Sequence, residues 1–219
     1  MKYELIIFDL DGTILDTLED LADSVNHALA KYGYPTRTME EVRSFVGNGL
    51  MMLTRRAIAP ETDEIMIQTV LAEQKAYYKE HCSDKTMPYA GIMELLRDLK
   101  EDGYKLAVVS NKADYAVQIL CEQYFPGIFH MTVGEKENVR KKPAPDSVYA
   151  VLHELQVEKA NAVYVGDSEV DIETAENAGL DAVLVSWGFR DREFLQERGA
   201  KTLVNTADEL KSALIHETF

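Results

Sequence analysis

The sequence predicts a doubly wound α/β fold, a parallel sheet with helices on both faces and a helical bundle inserted after its first strand. Three observations carry this expectation. The run Leu5-Ile6-Ile7-Phe8 is apolar without a break and then meets Asp9-Leu10-Asp11-Gly12-Thr13, as a strand buried on both faces does when it reaches the edge of its sheet. From Tyr89 onward, short apolar runs alternate with helical patterns, the sign of parallel strands joined by crossover helices. Between the two, residues 16–86 read as helix after helix with no convincing strand. The expected division is therefore a core of residues 1–15 and 87–219, Rossmann-like in plan, and a helical cap of residues 16–86.

The elements follow in order. After Thr13, Leu18, Leu21, Ala22, Val25, Leu29 and Tyr32 share one helical face, with Asp16 or Thr17 as N-cap and Gly33 and Pro35 as the stop. Thr38 followed by Glu41 is a capping box for a short helix through Val42, Phe45 and Val46. Gly47-Asn48-Gly49 breaks the chain before a helix over about 50–59, and Pro60, Thr62 and Asp63 open a longer one to about His81. Ile92, Leu95, Leu96 and Leu99 make the next helix, closed by Gly103, and Leu106 to Val109 make a strand ending in Ser110-Asn111. A helix with Val117, Leu120, Cys121 and Tyr124 precedes a weaker strand near Met131 to Val133. Pro143 and Pro145 break the chain ahead of a helix with Val148, Val151, Leu152 and Leu155. Ala162 to Val165 form a strand that runs into Gly166-Asp167, followed by a helix to Gly179 and a strand over 182–185. A helix over 193–198, a short strand over 202–204 and a helix capped by Thr206 complete the chain.

The chain has 219 residues, 46% of them hydrophobic and 28% charged, enough for one sizeable core and a small second domain. A formal net charge of -15 argues against nucleic acid or an anionic membrane as partner, since both would repel it. The two cysteines, Cys82 and Cys121, form no Cys-x-x-Cys pattern and suit a reducing cytoplasm. The N-terminal apolar run is too short and too soon interrupted for a signal peptide or a membrane span. These features give the expectation of a soluble cytoplasmic protein, a monomer or weak dimer.

Asp9 and Asp11 lie two residues apart at the mouth of an apolar core, where like charges repel and lose hydration. A cation between them relieves that cost, and a hard ion such as Mg2+, which takes carboxylate, carbonyl and water oxygens, fits. An Asp-Gly turn that merely bends the chain is the plainer alternative. The predicted strands deliver Asp9 and Asp11, Ser110 and Asn111, and Asp167 with Asp171 to one side of the sheet, while Lys142 enters from a loop. Singly, Ser110 reads as a helix cap, Lys142 as a solvated charge and Asp167 as a turn residue. Together, acids, a hydroxyl and a lysine converging at strand ends are what phosphoryl transfer through an acyl phosphate requires. The five histidines include no i,i+4 pair, which disfavours a zinc site. Met51, Met52 and Met66 read as packing within the cap.

Asp9-x-Asp11-Gly12-Thr13, the Ser110-Asn111 strand end, Lys142-Pro143-x-Pro145 and Gly166-Asp167-x-x-x-Asp171 resemble, in order, the four motifs of the haloacid dehalogenase-like superfamily. The inserted helices resemble the four-helix cap of the subgroup containing phosphoglycolate phosphatase and β-phosphoglucomutase. Val46-Gly47-Asn48-Gly49 with Arg56, Pro88-Tyr89-Ala90-Gly91 and Trp187-Gly188-Phe189-Arg190 look most like phosphoglycolate phosphatases, with Ala90 and Ser110 as mild departures. The resemblance implies that Asp9 is the nucleophile and forms a phosphoaspartyl intermediate, and that Asp11 serves as general acid and base. It implies Mg2+ held by the Asp9 carboxylate, the Asp11 main-chain carbonyl and the Asp167 carboxylate, with Asp171 holding its waters. Ser110 and Lys142 would bind the phosphoryl oxygens. Thr13, Asn111 and the cap residues Gly47, Asn48, Gly49 and Arg56 are the candidates to bind substrate, Arg56 equally as a structural ion pair.

The implied function is a Mg-dependent phosphatase acting on a small phosphorylated metabolite, 2-phosphoglycolate first. Pyrophosphate, sugar phosphates or a β-phosphoglucomutase-like phosphomutase reaction are the enzymatic alternatives, and an interaction protein that has kept the fold is the non-enzymatic one. A signalling receiver would lack the inserted helices, and a dehalogenase would carry tyrosine where Asp11 stands.

Overall fold

The structure, a computed structural model, describes residues 2–215. β1 (Leu5–Phe8) is followed by a two-residue strand β2 (Leu15–Asp16) and the helices α1 (Leu18–Lys31), α2 (Met39–Phe45), α3 (Gly49–Ala57) and α4 (Glu64–His81). The chain returns through β3 (Met87–Pro88) to α5 (Ile92–Glu101), β4 (Lys105–Ala113), α6 (Asp114–Tyr124) and β5 (Met131–Glu135). Then come α7 (Asp146–Glu154), β6 (Ala162–Gly166), α8 (Glu169–Ala178), β7 (Asp181–Val185), α9 (Arg192–Glu197), β8 (Leu203–Val204) and α10 (Ala207–Ile215).

Six parallel strands lie in the order β5-β4-β1-β6-β7-β8. β1 sits inside the sheet, between β4 and β6, where the direction of winding reverses. In such sheets the crevice beyond the strands' carboxyl ends at that reversal is the natural ligand site. The side-chain period of two explains why β1 has no polar residue: Ile6 and Phe8 join a core with Leu95, Leu99 and Leu120, while Leu5 and Ile7 pack on the other face with Val148, Val151 and Ala175. All four β1 residues are fully buried, each stabilising the fold by about 1.5–3 kcal/mol.

The cap is closed by local rules that the sequence states. Thr38 and Glu41 form the reciprocal capping box of α2, and the Asp63 carboxylate accepts from the Met66 amide at the start of α4. Inside it, Thr54 donates to Gln74, which donates to Ser24, so one buried polar chain ties α3 and α4 to α1. Asp20, 2% exposed, accepts from the Lys85 and Thr86 amides and from the Thr86 hydroxyl, which anchors the returning chain to α1.

Two boundaries differ from the sequence expectation. The stretch between the first strand and α5 does contain strand: β2 pairs antiparallel with β3, Leu15 opposite Pro88 and Asp16 opposite Met87. Two residues are too few to show a period. β4 continues to Ala113, beyond the apolar run that ends at Val109, because the backbone pairs again with β5 at Ala113 after an irregularity. Helix limits move by one or two residues, as at α3, which begins at Gly49 and ends at Ala57. Cys82 and Cys121 are free and buried, and burial pushes the Cys121 thiol up to about 12. Among the described residues no helix is long and apolar enough to cross a membrane.

Candidate active site

The site is assembled by four chain segments that leave the carboxyl ends of β1, β4 and β6 and the loop before α7. The Asp9 amide donates to Val165 O at 2.9 Å, extending the β1–β6 ladder by one residue and fixing where its side chain starts. Glycines then let the loops close on one another. Gly12 has φ +82°, and a Cβ there would lie 2.3 Å from Asp167 Oδ2. A Cβ on Gly188 would lie 2.3 Å from the Gly12 carbonyl oxygen and 2.4 Å from Asp167 Oδ2.

Asp9 Oδ1 accepts from the Leu10 amide at 2.7 Å and from Lys142 Nζ at 2.9 Å. Burial pushes its carboxyl up to about 7; Lys142 opposes the shift, and Asp171 and Asp11 add to it. Lys142 also reaches Asp171 Oδ1 at 2.8 Å and the Tyr164 hydroxyl at 2.9 Å, which in turn donates to Val109 O. Burial alone would pull the Lys142 ammonium down, but Asp171 and Asp9 hold it well above the ordinary lysine value. Asp171 Oδ2 gathers the Asp167 amide, the Ser168 amide and the Ser168 hydroxyl, so this side chain also sets the shape of its loop. Asp167 accepts from the Thr13 hydroxyl at 3.2 Å and the Phe189 amide at 2.7 Å, and burial followed by repulsion from Asp171 and Asp9 raises it well above the usual carboxylate range.

One carboxylate oxygen from each of Asp9, Asp167 and Asp171 lies within 4.8 Å of the other two. Of these three buried acids only Asp9 and Asp171 touch Lys142, so negative charge is left over and adds to the burial that chiefly pushes Asp9 and Asp167 up. A hard divalent cation with oxygen ligands fits that donor set and that charge. The Asp11 carboxylate stands apart from this cluster, with Oδ1 2.8 Å from Lys112 Nζ.

Ser110 and Asn111 follow from β4 and are buried, at 6% and 5% exposure. Asn111 Nδ2 donates to Lys142 O at 3.1 Å and to Gly47 O of the cap at 3.2 Å, while its Oδ1 is buried without a partner. Gly47 and Gly49 line the space between cap and core, about 40 Å³, together with Asp9, Asp11, Ser110, Asn111 and Asp167. Gly49, with φ +79°, sits so close to the core that a Cβ would be 3.0 Å from Asn111 O.

Other sequence candidates lie elsewhere. Thr13 is fully buried and spends its hydroxyl on Asp167. Arg56 forms no ion pair among the described residues; it donates to Phe45 O and to Asn48 Oδ1, and so braces the Gly47-Asn48-Gly49 loop from within the cap. Asn48 is held from the core side as well, its carbonyl accepting from Lys141 at 3.2 Å.

Three residues that the sequence did not single out as site candidates, Arg190 having figured only in the resemblance, line the site. Lys112, 5% exposed, pairs with Asp11 and hydrogen-bonds the Tyr78 hydroxyl of α4, with its Nζ 4.7 Å from the Tyr78 ring centroid. The signal for Lys112 was its place two residues beyond Ser110 in an extended chain, which puts both on one side. Tyr78 gave none, since an aromatic residue in an amphipathic helix reads as core. Arg190 donates to Arg43 O and Val46 O of the cap and to Glu169 of the core, fastening the two together.

Comparison with known proteins agrees with this geometry. The family model for haloacid dehalogenase-like hydrolases matches residues 6–185. A phosphoglycolate phosphatase of Pseudomonas syringae pv. tomato is 33% identical over 209 residues, covering 92% of this chain and 76% of that one. Another, from Colwellia psychrerythraea, is 30% identical and covers 96% of both chains. The crystal structure of a candidate phosphoglycolate phosphatase from Lactobacillus delbrueckii subsp. bulgaricus superposes with a TM-score of 0.95 at 40% identity, over 99% of this chain and all of that one. With its parallel sheet, inserted helical cap and cluster of carboxylates at the carboxyl end of β1, the chain belongs to the haloacid dehalogenase-like hydrolases and is a phosphatase of the phosphoglycolate phosphatase-like kind.

Proposed function

We propose that this protein hydrolyses a small phosphomonoester, 2-phosphoglycolate first among candidates, through a phosphoaspartyl intermediate on Asp9. The observation that carries the reading is the convergence at the end of β1: Asp9 beside Lys142, with the acids of Asp167 and Asp171 within ligand distance. Asp9 attacks phosphorus, a P–O bond to its carboxylate forms, and the ester P–O bond breaks. Asp11 gives a proton to the departing alkoxide and then takes one from the water that cleaves the acyl phosphate, a contribution of about 100- to 10,000-fold. Ser110, neighbouring backbone N–H groups and Lys142 receive the phosphoryl oxygens, where charge must be stabilised as the bond is made.

The carboxylates of Asp9 and Asp167 and the Asp11 carbonyl would hold Mg2+, with Asp171 placing its water ligands. When bound, the ion offsets repulsion between Asp9 and the phosphate. In this reading, residues 16–86 are a lid and residues 1–15 with 87–219 the catalytic core. The lid brings the Gly47-Asn48-Gly49 loop, braced by Arg56, over the phosphate site, which favours substrates of few atoms. The buried free thiols support a cytoplasmic location.

The test is phosphate release from a panel of phosphorylated metabolites with Mg2+, using Asp9→Asn as the blank. Phosphoglycolate should give the highest kcat/KM. Faster turnover of hexose phosphates or pyrophosphate would overturn the substrate but keep the chemistry, and near wild-type turnover by Asp9→Asn would overturn the covalent route.

A further inference from the structure

Lys112 is the second lysine buried at this site, and the reaction as described has no use for it. Its ammonium has three N–H donors. One goes to Asp11 Oδ1 at 2.8 Å and another to the hydroxyl of Tyr78, whose ring also lies beneath the charge at 4.7 Å. Side-chain exposure is 3% for Lys112, and Tyr78 is fully buried. Burying an ammonium is costly unless it is paired, so both partners are needed for Lys112 to stand where it does. Those partners come from opposite sides of the cleft: Asp11 follows β1 of the core, and Tyr78 belongs to α4 of the cap. Two ordinary apolar residues would fill the same space more cheaply.

We propose that Lys112 and Tyr78 are positioning residues for Asp11, together holding its carboxylate in the orientation for proton transfer only while the lid is down. The ion pair occupies Oδ1 and leaves Oδ2 as the oxygen for proton exchange. When the lid lifts, Tyr78 leaves with α4, the ammonium of Lys112 becomes hydrated, and the fixed geometry of Asp11 is lost. Proton transfer is thereby tied to closure: the acid is aligned when bulk water is out of the cleft and released when product departs. Asn111 and Arg190 also bridge core and cap, but they bond cap backbone; the Tyr78–Lys112–Asp11 chain reaches the acid itself. The inference rests on the reading of Asp11 as acid and base.

The experiment is a double-mutant cycle on the full chain with Mg2+, using 2-phosphoglycolate as the substrate with a poor leaving group and p-nitrophenyl phosphate as the one with a good leaving group. Lys112→Met should lower kcat for 2-phosphoglycolate about 100-fold and Tyr78→Phe about 10-fold, with KM changed less than about threefold. Single-turnover release of p-nitrophenolate, which needs little protonation, should fall about tenfold less. In an Asp11→Asn background both substitutions should cost less than about twofold, because they act through Asp11. Wild-type kcat in both single variants, or the full loss repeated in the Asp11→Asn background, overturns the proposal; a KM increase in both backgrounds makes Lys112 a substrate-binding group instead. Near wild-type turnover by Asp11→Asn alone would instead bring down the acid/base reading beneath it. Should Lys112→Met fail to fold, Tyr78→Phe, which removes one hydroxyl, completes the cycle by itself.

Discussion

Replacing Asp9 by asparagine should make the metal-free protein more stable while abolishing turnover. The reason is the sign of the charge balance at the end of β1. Asp9 is pushed from 3.8 to about 7, chiefly by burial. Between those two values the folded chain binds a proton at Asp9 that the unfolded chain has lost, so raising the pH through this window removes stability. The shift of about three pH units corresponds to about 4 kcal/mol at about 1.36 kcal/mol per unit. Asparagine never ionises, keeps an acceptor for the Leu10 amide and for Lys142, and gives back part of the Coulomb attraction of the 2.9 Å pair. A net gain of about 2–4 kcal/mol at pH 8 is expected, or about 4–16 °C in Tm for a chain of this size. Thermal unfolding in excess chelator at pH 8 and pH 4.5 measures it. The gap should be wide at pH 8 and narrow at pH 4.5, where wild-type Asp9 is protonated. Saturating Mg2+ should then raise wild type more than the variant, by about 2.7 kcal/mol at a hundred times Kd. An Asp9→Asn protein that melts at or below wild type at pH 8, or a gap independent of pH, would refute the assignment of strain to this carboxylate.

Removing Lys142 acts in the opposite direction. Lys142→Met leaves Asp9 and Asp171 buried without their cation, and should cost about 3–5 kcal/mol in urea unfolding; a loss below about 1 kcal/mol would show that the acids find other compensation. Gly188→Ala places a methyl against the Gly12 carbonyl and Asp167, so metal affinity measured by titration should fall about 10- to 100-fold, and unchanged affinity would mean the loops yield freely. Arg190→Ala cuts the bonds to Arg43 O, Val46 O and Glu169. Faster amide exchange over 43–50 and a raised KM are expected, and wild-type protection there would show that Arg190 does not fasten the cap.

The architecture was legible because burial leaves a plain mark on sequence. The apolar runs within β1, β4 and β6 stop at or just before residues whose chemistry has no other reason to sit there: Asp9, Ser110 and Asp167. The capping box at Thr38 and Glu41 likewise follows from local spacing alone. What escaped notice depends on contacts between segments far apart in the chain. Lys112 and Tyr78 meet only when cap and core are placed together, and a lysine beside a strand end reads as a solvated charge until its burial is known. Arg56 carried a plausible sign for substrate contact, but its guanidinium turns back onto the loop it helps shape. The two-residue strands β2 and β3 have no period from which to be recognised.

That small ribbon has a further consequence. Leu15 opposite Pro88 and Asp16 opposite Met87 place the exit and return of the helical insertion one strand spacing apart, about 4.5–5.5 Å between facing Cα atoms. Seen from the sheet, the whole insertion has the footprint of a hairpin tip. A tight turn or a quite different bundle could occupy the same two anchor points without moving β1, β4 or β6.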